Sequence, residues 1–115
     1  MSPKDEILSS RERAVALLYY YESLLTLTQQ KISDDYYKFD LSLSEIADQE
    51  GISRAAVSEA LKTSLAKMEE FDSKLELVEH DGILKKRIEE ALKISDETER
   101  LAALTAIGKD ILHGI

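Results

Sequence analysis

Almost nothing in this chain stops a helix. Its only proline is Pro3, and its four glycines stand at positions 51, 82, 108 and 114. Proline and glycine are the strongest local breakers, so long helices are allowed nearly everywhere and an all-β fold rich in tight turns is disfavoured. Apolar residues make up 43% of the 115 and charged residues 33%, too apolar a balance for a disordered chain. The expected fold class is all-α. With no cysteine and only His80 and His113, there is no material for a disulfide framework or a thiol centre, and little for a metal site. No nucleophile–base constellation stands out, so no catalytic residue, metal or cofactor is expected. The apolar runs fall short of the roughly 20 residues a membrane span needs, and the opening MSPKDEIL lacks the apolar stretch of a secretory signal. A cytoplasmic protein is expected.

Apolar spacing and capping residues divide the chain into helices. Val15, Leu17, Leu18, Tyr21, Leu24 and Leu25 give a first helix over about 10–25. Thr28 offers a cap for a short second helix to about Tyr37. Ser42, with Glu45 three residues on, forms a capping-box pattern and opens a third helix to about Glu50. Gly51 ends it, and Ser53 caps the next. No breaker then follows until Asp81-Gly82, and Val57, Leu61, Leu65, Met68, Phe71, Leu75 and Val78 recur at spacings of 4, 4, 3, 3, 4 and 3. That predicts one helix with an apolar stripe about seven turns long. Its second half, Leu65, Met68, Phe71, Leu75 and Val78, needs a covering surface, either the C-terminal helices or a second subunit. A turn at Asp81-Gly82 and a helix start at Ser95 complete the expected plan: a head over 1–75 and a helical extension over 76–115 that packs or dimerises.

The segment Ser42 to Leu61 carries the functional information. A helix-turn-helix needs a small residue midway along its first helix, and Ala47 is one. It needs a turn-tolerant residue four positions later, Gly51, and apolar anchors on the second helix, here Ile52, Val57 and Leu61. In this motif the second helix enters the major groove of DNA. Ser53, Arg54, Ala55, Ser58, Glu59 and Lys62 would then face outward. Arg54 suits phosphate or guanine, Lys62 suits phosphate, Ser53 and Ser58 donate to either, and Glu59 accepts from cytosine but repels the backbone. A helical hairpin with a glycine turn and no nucleic-acid role has the same pattern.

At these residues a family resemblance appears. The run SLSEIADQEGISRAAVSEAL is similar to region 4 of bacterial sigma factors. Together with YYYESLLTLTQQ, DDYYKFDLSLSEIA and EEFDSKLEL, it resembles the YlxM family, small bacterial helix-turn-helix proteins whose genes tend to lie beside those of the signal recognition particle. The resemblance covers about residues 11–77. It implies a sigma-region-4-like head with a long helix, dimerisation, and a nucleic-acid-binding or regulatory role in the signal recognition particle pathway. Family members commonly carry glutamine after the recognition arginine, where this chain has Ala55.

Charge sets a second expectation beside the first. The net charge of −8 repels polyanions at long range, yet residues 14–50 hold −5 of it while 51–75 balance four bases against four acids. An anion-binding surface is therefore expected to be local, in 51–75 or at Lys85-Lys86-Arg87, a triplet otherwise balanced by Glu89 and Glu90 as a solvated face. Tyr36-Tyr37 and Phe39, interleaved with Lys38, are expected to pack under the head, with base stacking as the alternative. The leading expectation is a non-enzymatic homodimeric helix-turn-helix regulator of duplex DNA or signal recognition particle RNA. The alternative is an acidic adaptor that binds a signal recognition particle protein or RNA polymerase.

Overall fold

The computed structural model describes residues 3–114, and side chains from Ser10 onward. Among them are six α-helices and no strand: α1 Pro3–Tyr21, α2 Leu27–Tyr37, α3 Leu43–Glu50, α4 Arg54–Leu75, α5 Leu77–Leu92 and α6 Glu97–Leu112. A 3-10 turn, Glu22–Leu24, links α1 to α2. The all-α expectation is met. None of these helices is long and apolar enough to cross a membrane. The chain divides after Glu76 into two compact units.

Helix starts follow reciprocal capping. Ser42 Oγ accepts from Glu45 N at 3.1 Å while Ser42 N donates to Glu45 Oε1 at 3.0 Å, so two orphan N–H groups are satisfied at once. These bonds, first from the Ser42 backbone and then from its hydroxyl, hold the Glu45 carboxyl below its ordinary value. At α2 the cap is Thr26 rather than Thr28. Gln29 donates its backbone N–H to Thr26 Oγ1 at 3.1 Å and accepts from Thr26 N at 3.0 Å. Thr28 has Lys31 at the matching position, and an ammonium has no lone pair to complete the box. Likewise α6 is capped by Asp96, whose carboxylate accepts from Glu99 N at 2.8 Å, and not by Ser95.

In the first unit, α2, α3 and α4 pack around Ile32, Ile46, Ala47, Val57 and Leu61, with Tyr37, Leu41, Leu43 and Ala60 at the margin. Helix α1 lays its buried side (Ala14, Leu17, Leu18 and Tyr21) against α2 and α4. This supplies the covering surface for much of the apolar stripe. Met68 is fully buried, Leu65 and Phe71 are half-buried, and Leu75 remains exposed. Two side chains of α1, Arg13 and Tyr21, fasten it to Glu69, Phe71 and Asp72 in the second half of α4. The Tyr21 and Phe71 rings stack with centroids 6.3 Å apart, Tyr21 donates its hydroxyl to Asp72 Oδ1 at 2.6 Å, and Arg13 bonds Asp72 Oδ2 at 2.8 Å and Glu69 Oε1 at 3.1 Å. The Glu69 hydrogen bond is the main influence raising the Arg13 value.

The stripe also ends earlier than its spacing suggests. Glu76 takes the left-handed conformation at φ 54 and closes α4 on the Asp72 carbonyl at 2.8 Å. Val78 thus belongs to α5, where it is half-buried. Asp81-Gly82 does not make a turn, because α5 runs through it. A glycine inside a helix costs only about 1 kcal/mol, which the α5–α6 contact offsets. That contact buries Ala91 and Ile107 and is bridged by Arg87 to Asp110 at 2.7 Å. Lys85 pairs with Asp81 at 3.3 Å.

One acidic pair sets a pH response. Glu22 lies beside the Asp34 carboxyl, and this neighbour, ahead of burial, raises the Glu22 carboxyl above its ordinary value although Lys38 lies 3.3 Å away. A carboxyl with a raised folded value binds its proton more tightly when folded, so it favours folding below the unfolded value and loses that contribution as pH rises through the folded one. Glu22→Gln is therefore expected to raise the melting temperature at pH 7 and to leave it nearly unchanged at pH 4. A melt recorded by circular dichroism at both values reads the difference; equal shifts at the two would refute the raised Glu22 carboxyl.

Candidate nucleic-acid interface

Helix α3 ends where its backbone can reverse. Gly51 adopts φ 67 and ψ 35, and Ile52 N–H reaches back to the Ala47 carbonyl at 3.1 Å, the six-to-one bond of a Schellman ending. A Cβ at Gly51 would meet no atom within 4 Å, so the positive φ alone favours glycine there. Two residues later Ser53 Oγ accepts from Ala56 N at 3.0 Å and α4 begins. Ala47 is buried against the same cluster as Val57 and Leu61, so the small residue and two of the anchors do what the pattern requires. Ile52 does not. It sits in the turn, is 39% exposed and lies outside the core cluster.

The outward residues are placed as follows. Ser53, Arg54, Ala55, Glu59 and Lys62 are exposed and Ser58 is half-buried. Arg54, Ser58 and Lys62 follow at four-residue steps, so they share one edge of α4. Glu59 projects beside them, and the first turn of α4 contains no acidic residue. The positive end of the helix dipole therefore opens next to Arg54 with no carboxylate to neutralise it.

Ion pairing separates this edge from the rest of the unit. Arg11 is held by Asp40 and by the Tyr37 carbonyl at 2.6 Å, which closes the C-terminal end of α2. Arg13 is held by Glu69 and Asp72, Lys31 by Asp35 and Glu50, Lys38 by Glu22 and Asp34, and Lys74 by Glu70. Among the described residues before Glu76, the cations without an ion pair are Arg54, Lys62 and Lys67, all on α4. Lys38, interleaved with the tyrosines in sequence, is thus committed to two carboxylates. Tyr36 and Tyr37 instead meet Ser58, Lys62, Leu43 and Leu65 along a shallow groove. Burial pushes the Tyr37 phenol up, while Phe39 is exposed rather than packed under the head. Sequence proximity pointed to Lys38 because the groove forms only when α2 docks on α4.

Two helices joined through a left-handed glycine, the second exposing its opening turns, make this an all-helical protein of the helix-turn-helix class. Residues 8–109 match the UPF0122 family, described as "Putative helix-turn-helix protein, YlxM / p13 like", and the chain belongs to that family. It is similar to a UPF0122 protein of Symbiobacterium thermophilum, 40% identical over 97 residues that cover 81% of this chain and 91% of the relative. It is also similar to one of Bacillus pumilus, 39% identical over 92 residues covering 76% and 83%. A third, from Thermoanaerobacter pseudethanolicus, is 37% identical over 105 residues covering 88% and 90%.

Proposed function

We propose that this chain is a non-enzymatic regulatory protein that docks the start of α4 on duplex nucleic acid, either DNA or the signal recognition particle RNA. The observation that carries the reading is that, among the described residues of the first unit, the cations without an ion pair all lie on α4, with Arg54 and Lys62 on one exposed edge. Arg54 and the first-turn N–H groups take one phosphate and Lys62 takes another, with Ser53 and Ser58 donating between them. Phosphate contacts position a protein without reading bases. The run Arg54-Ala55-Ala56-Val57-Ser58-Glu59 has few long side chains for base edges, so affinity with little sequence preference follows. The family resemblance supports the signal recognition particle pathway as the setting.

A salt titration of duplex binding tests this. Logarithmic affinity should fall linearly with logarithmic salt, by roughly 0.9 per neutralised phosphate, and Lys62→Ala should reduce that slope by about one unit. Binding insensitive to salt would remove the phosphate contacts. The net charge of −8 favours a second reading, an adaptor for a basic protein of the same pathway or for RNA polymerase. Absence of any duplex binding would leave that one standing.

A further inference from the structure

The groove between α2 and α4 combines aromatic surface with polar groups that the fold leaves unused. Tyr36, Tyr37, Leu43 and Leu65 line it together with Ser58 and Lys62, around a hollow of about 190 Å³. Among the described residues, the Tyr36, Tyr37 and Ser58 hydroxyls and the Lys62 ammonium have no side-chain hydrogen bond or ion pair. No carboxylate lines the groove, so Lys62 gives it a positive sign in a chain of net charge −8.

The two rings stand edge to face, with centroids 5.1 Å apart and planes at 86°. A pair of this shape leaves ring faces open that a parallel stack would cover. Tyr36 is 36% exposed and lies outside the core cluster, whereas Tyr37 packs against that cluster. Sites that enclose a drug-sized ligand measure roughly 300–1,000 Å³. This hollow is smaller, with room for one flat ring system and not for a whole cofactor.

We propose that the groove holds one unpaired nucleobase of the nucleic acid that α4 contacts, stacked on Tyr36. The inference rests on the duplex docking proposed for α4. Ser58 and Lys62 belong both to the edge that meets phosphate and to the wall of the groove, so a phosphate held at Lys62 brings its own nucleotide to the tyrosines. A base in a continuous duplex is paired and stacked, and extruding it costs energy that an already unpaired base does not require. The preferred target is therefore a duplex interrupted by a bulge or loop, whose bases are free to stack on aromatic side chains. The open Tyr37 and Ser58 hydroxyls donate to or accept from the polar edge of that base. Stacking tolerates any base, since each has a flat face, which suits an α4 with few long side chains for reading sequence.

Fluorescence anisotropy of the full chain at low salt reads this with three labelled duplexes: fully matched, carrying one unpaired adenosine, and carrying an abasic residue in its place. The abasic residue keeps the extra phosphate and the bend but removes the ring. The adenosine bulge should bind roughly tenfold tighter than either of the others, within the range that one base stacked on an aromatic side chain supplies. Tyr36→Ala and Tyr36→Leu should each erase that preference, and Tyr36→Phe, which keeps the ring, should retain it. Circular dichroism checks the helicity of each variant, and the abasic comparison needs no variant at all. RNA and DNA versions of the three duplexes show which kind of strand supplies the base. Equal affinity for all three, a preference shared by the abasic bulge, or one that survives Tyr36→Ala would each overturn the proposal while leaving duplex docking intact. Binding to the adenosine bulge alone would uphold the groove and overturn docking on continuous duplex. No binding to any of them would overturn both.

Discussion

Replacing Asp72 by alanine is expected to lower the unfolding free energy by about 3 kcal/mol. Asp72 is 7% exposed and accepts from both the Tyr21 hydroxyl and Arg13. Its loss removes the acceptor of the buried Tyr21 hydroxyl and takes one of the two carboxylates from the Arg13 guanidinium. A donor left unsatisfied costs its full desolvation, more than the net value of the bond it once made. Tyr21→Phe removes the donor and leaves Asp72 paired with Arg13, so it should cost about 1 kcal/mol. In a double-mutant cycle the two should couple strongly, because they act through one bond. Urea denaturation followed by circular dichroism measures all three variants. A cost below 1 kcal/mol for Asp72→Ala would show that α1 is held to α4 by apolar contact alone.

That fastening also marks the limit of what the sequence discloses. Ser42 with Glu45, Gly51 and Ser53 are legible because capping and reversal are local chemistry, completed within three or four residues. Ala47, Val57 and Leu61 are legible because helical spacing assigns them to one side. The covering of Met68 and Phe71 is not legible. It depends on α1, more than 40 residues away in sequence, and apolar periodicity says which face is buried without saying against what. Gly82 misleads for a related reason, since Asp-Gly is turn chemistry that tertiary contact overrides at modest cost. Ile52 reads as an anchor by composition but lies in the turn, outside the core cluster. The free cations of α4 are hidden in the sequence too. Arg13 is held by Glu69 and Asp72, and Arg11 by Asp40, so which bases remain unpaired emerges only after folding.

Arg54→Ala is expected to weaken duplex binding by at least tenfold while leaving the melting temperature within a few degrees of the parent. The side chain is exposed and outside the core, so its removal should cost little stability. Its guanidinium sits at the mouth of a helix dipole with no competing carboxylate in the first turn, and loss of a hydrogen bond to a charged group costs about 1.5–3 kcal/mol. Glu59 supplies the opposite sign on the same surface. Fluorescence anisotropy with a labelled duplex at low salt gives the affinity and a thermal melt gives the stability. Undiminished binding would exclude the opening turn of α4 as the docking element.

The most direct test follows backbone amides of the nitrogen-labelled protein while duplex DNA, and separately signal recognition particle RNA, is added at low salt. Docking through α4 predicts the largest shifts at Ser53, Arg54, Ala55, Ser58 and Lys62, with Gly51 moving as their neighbour and the amides of α5 and α6 changing little. Shifts concentrated outside α4, or none with either nucleic acid at saturating concentration, would contradict it.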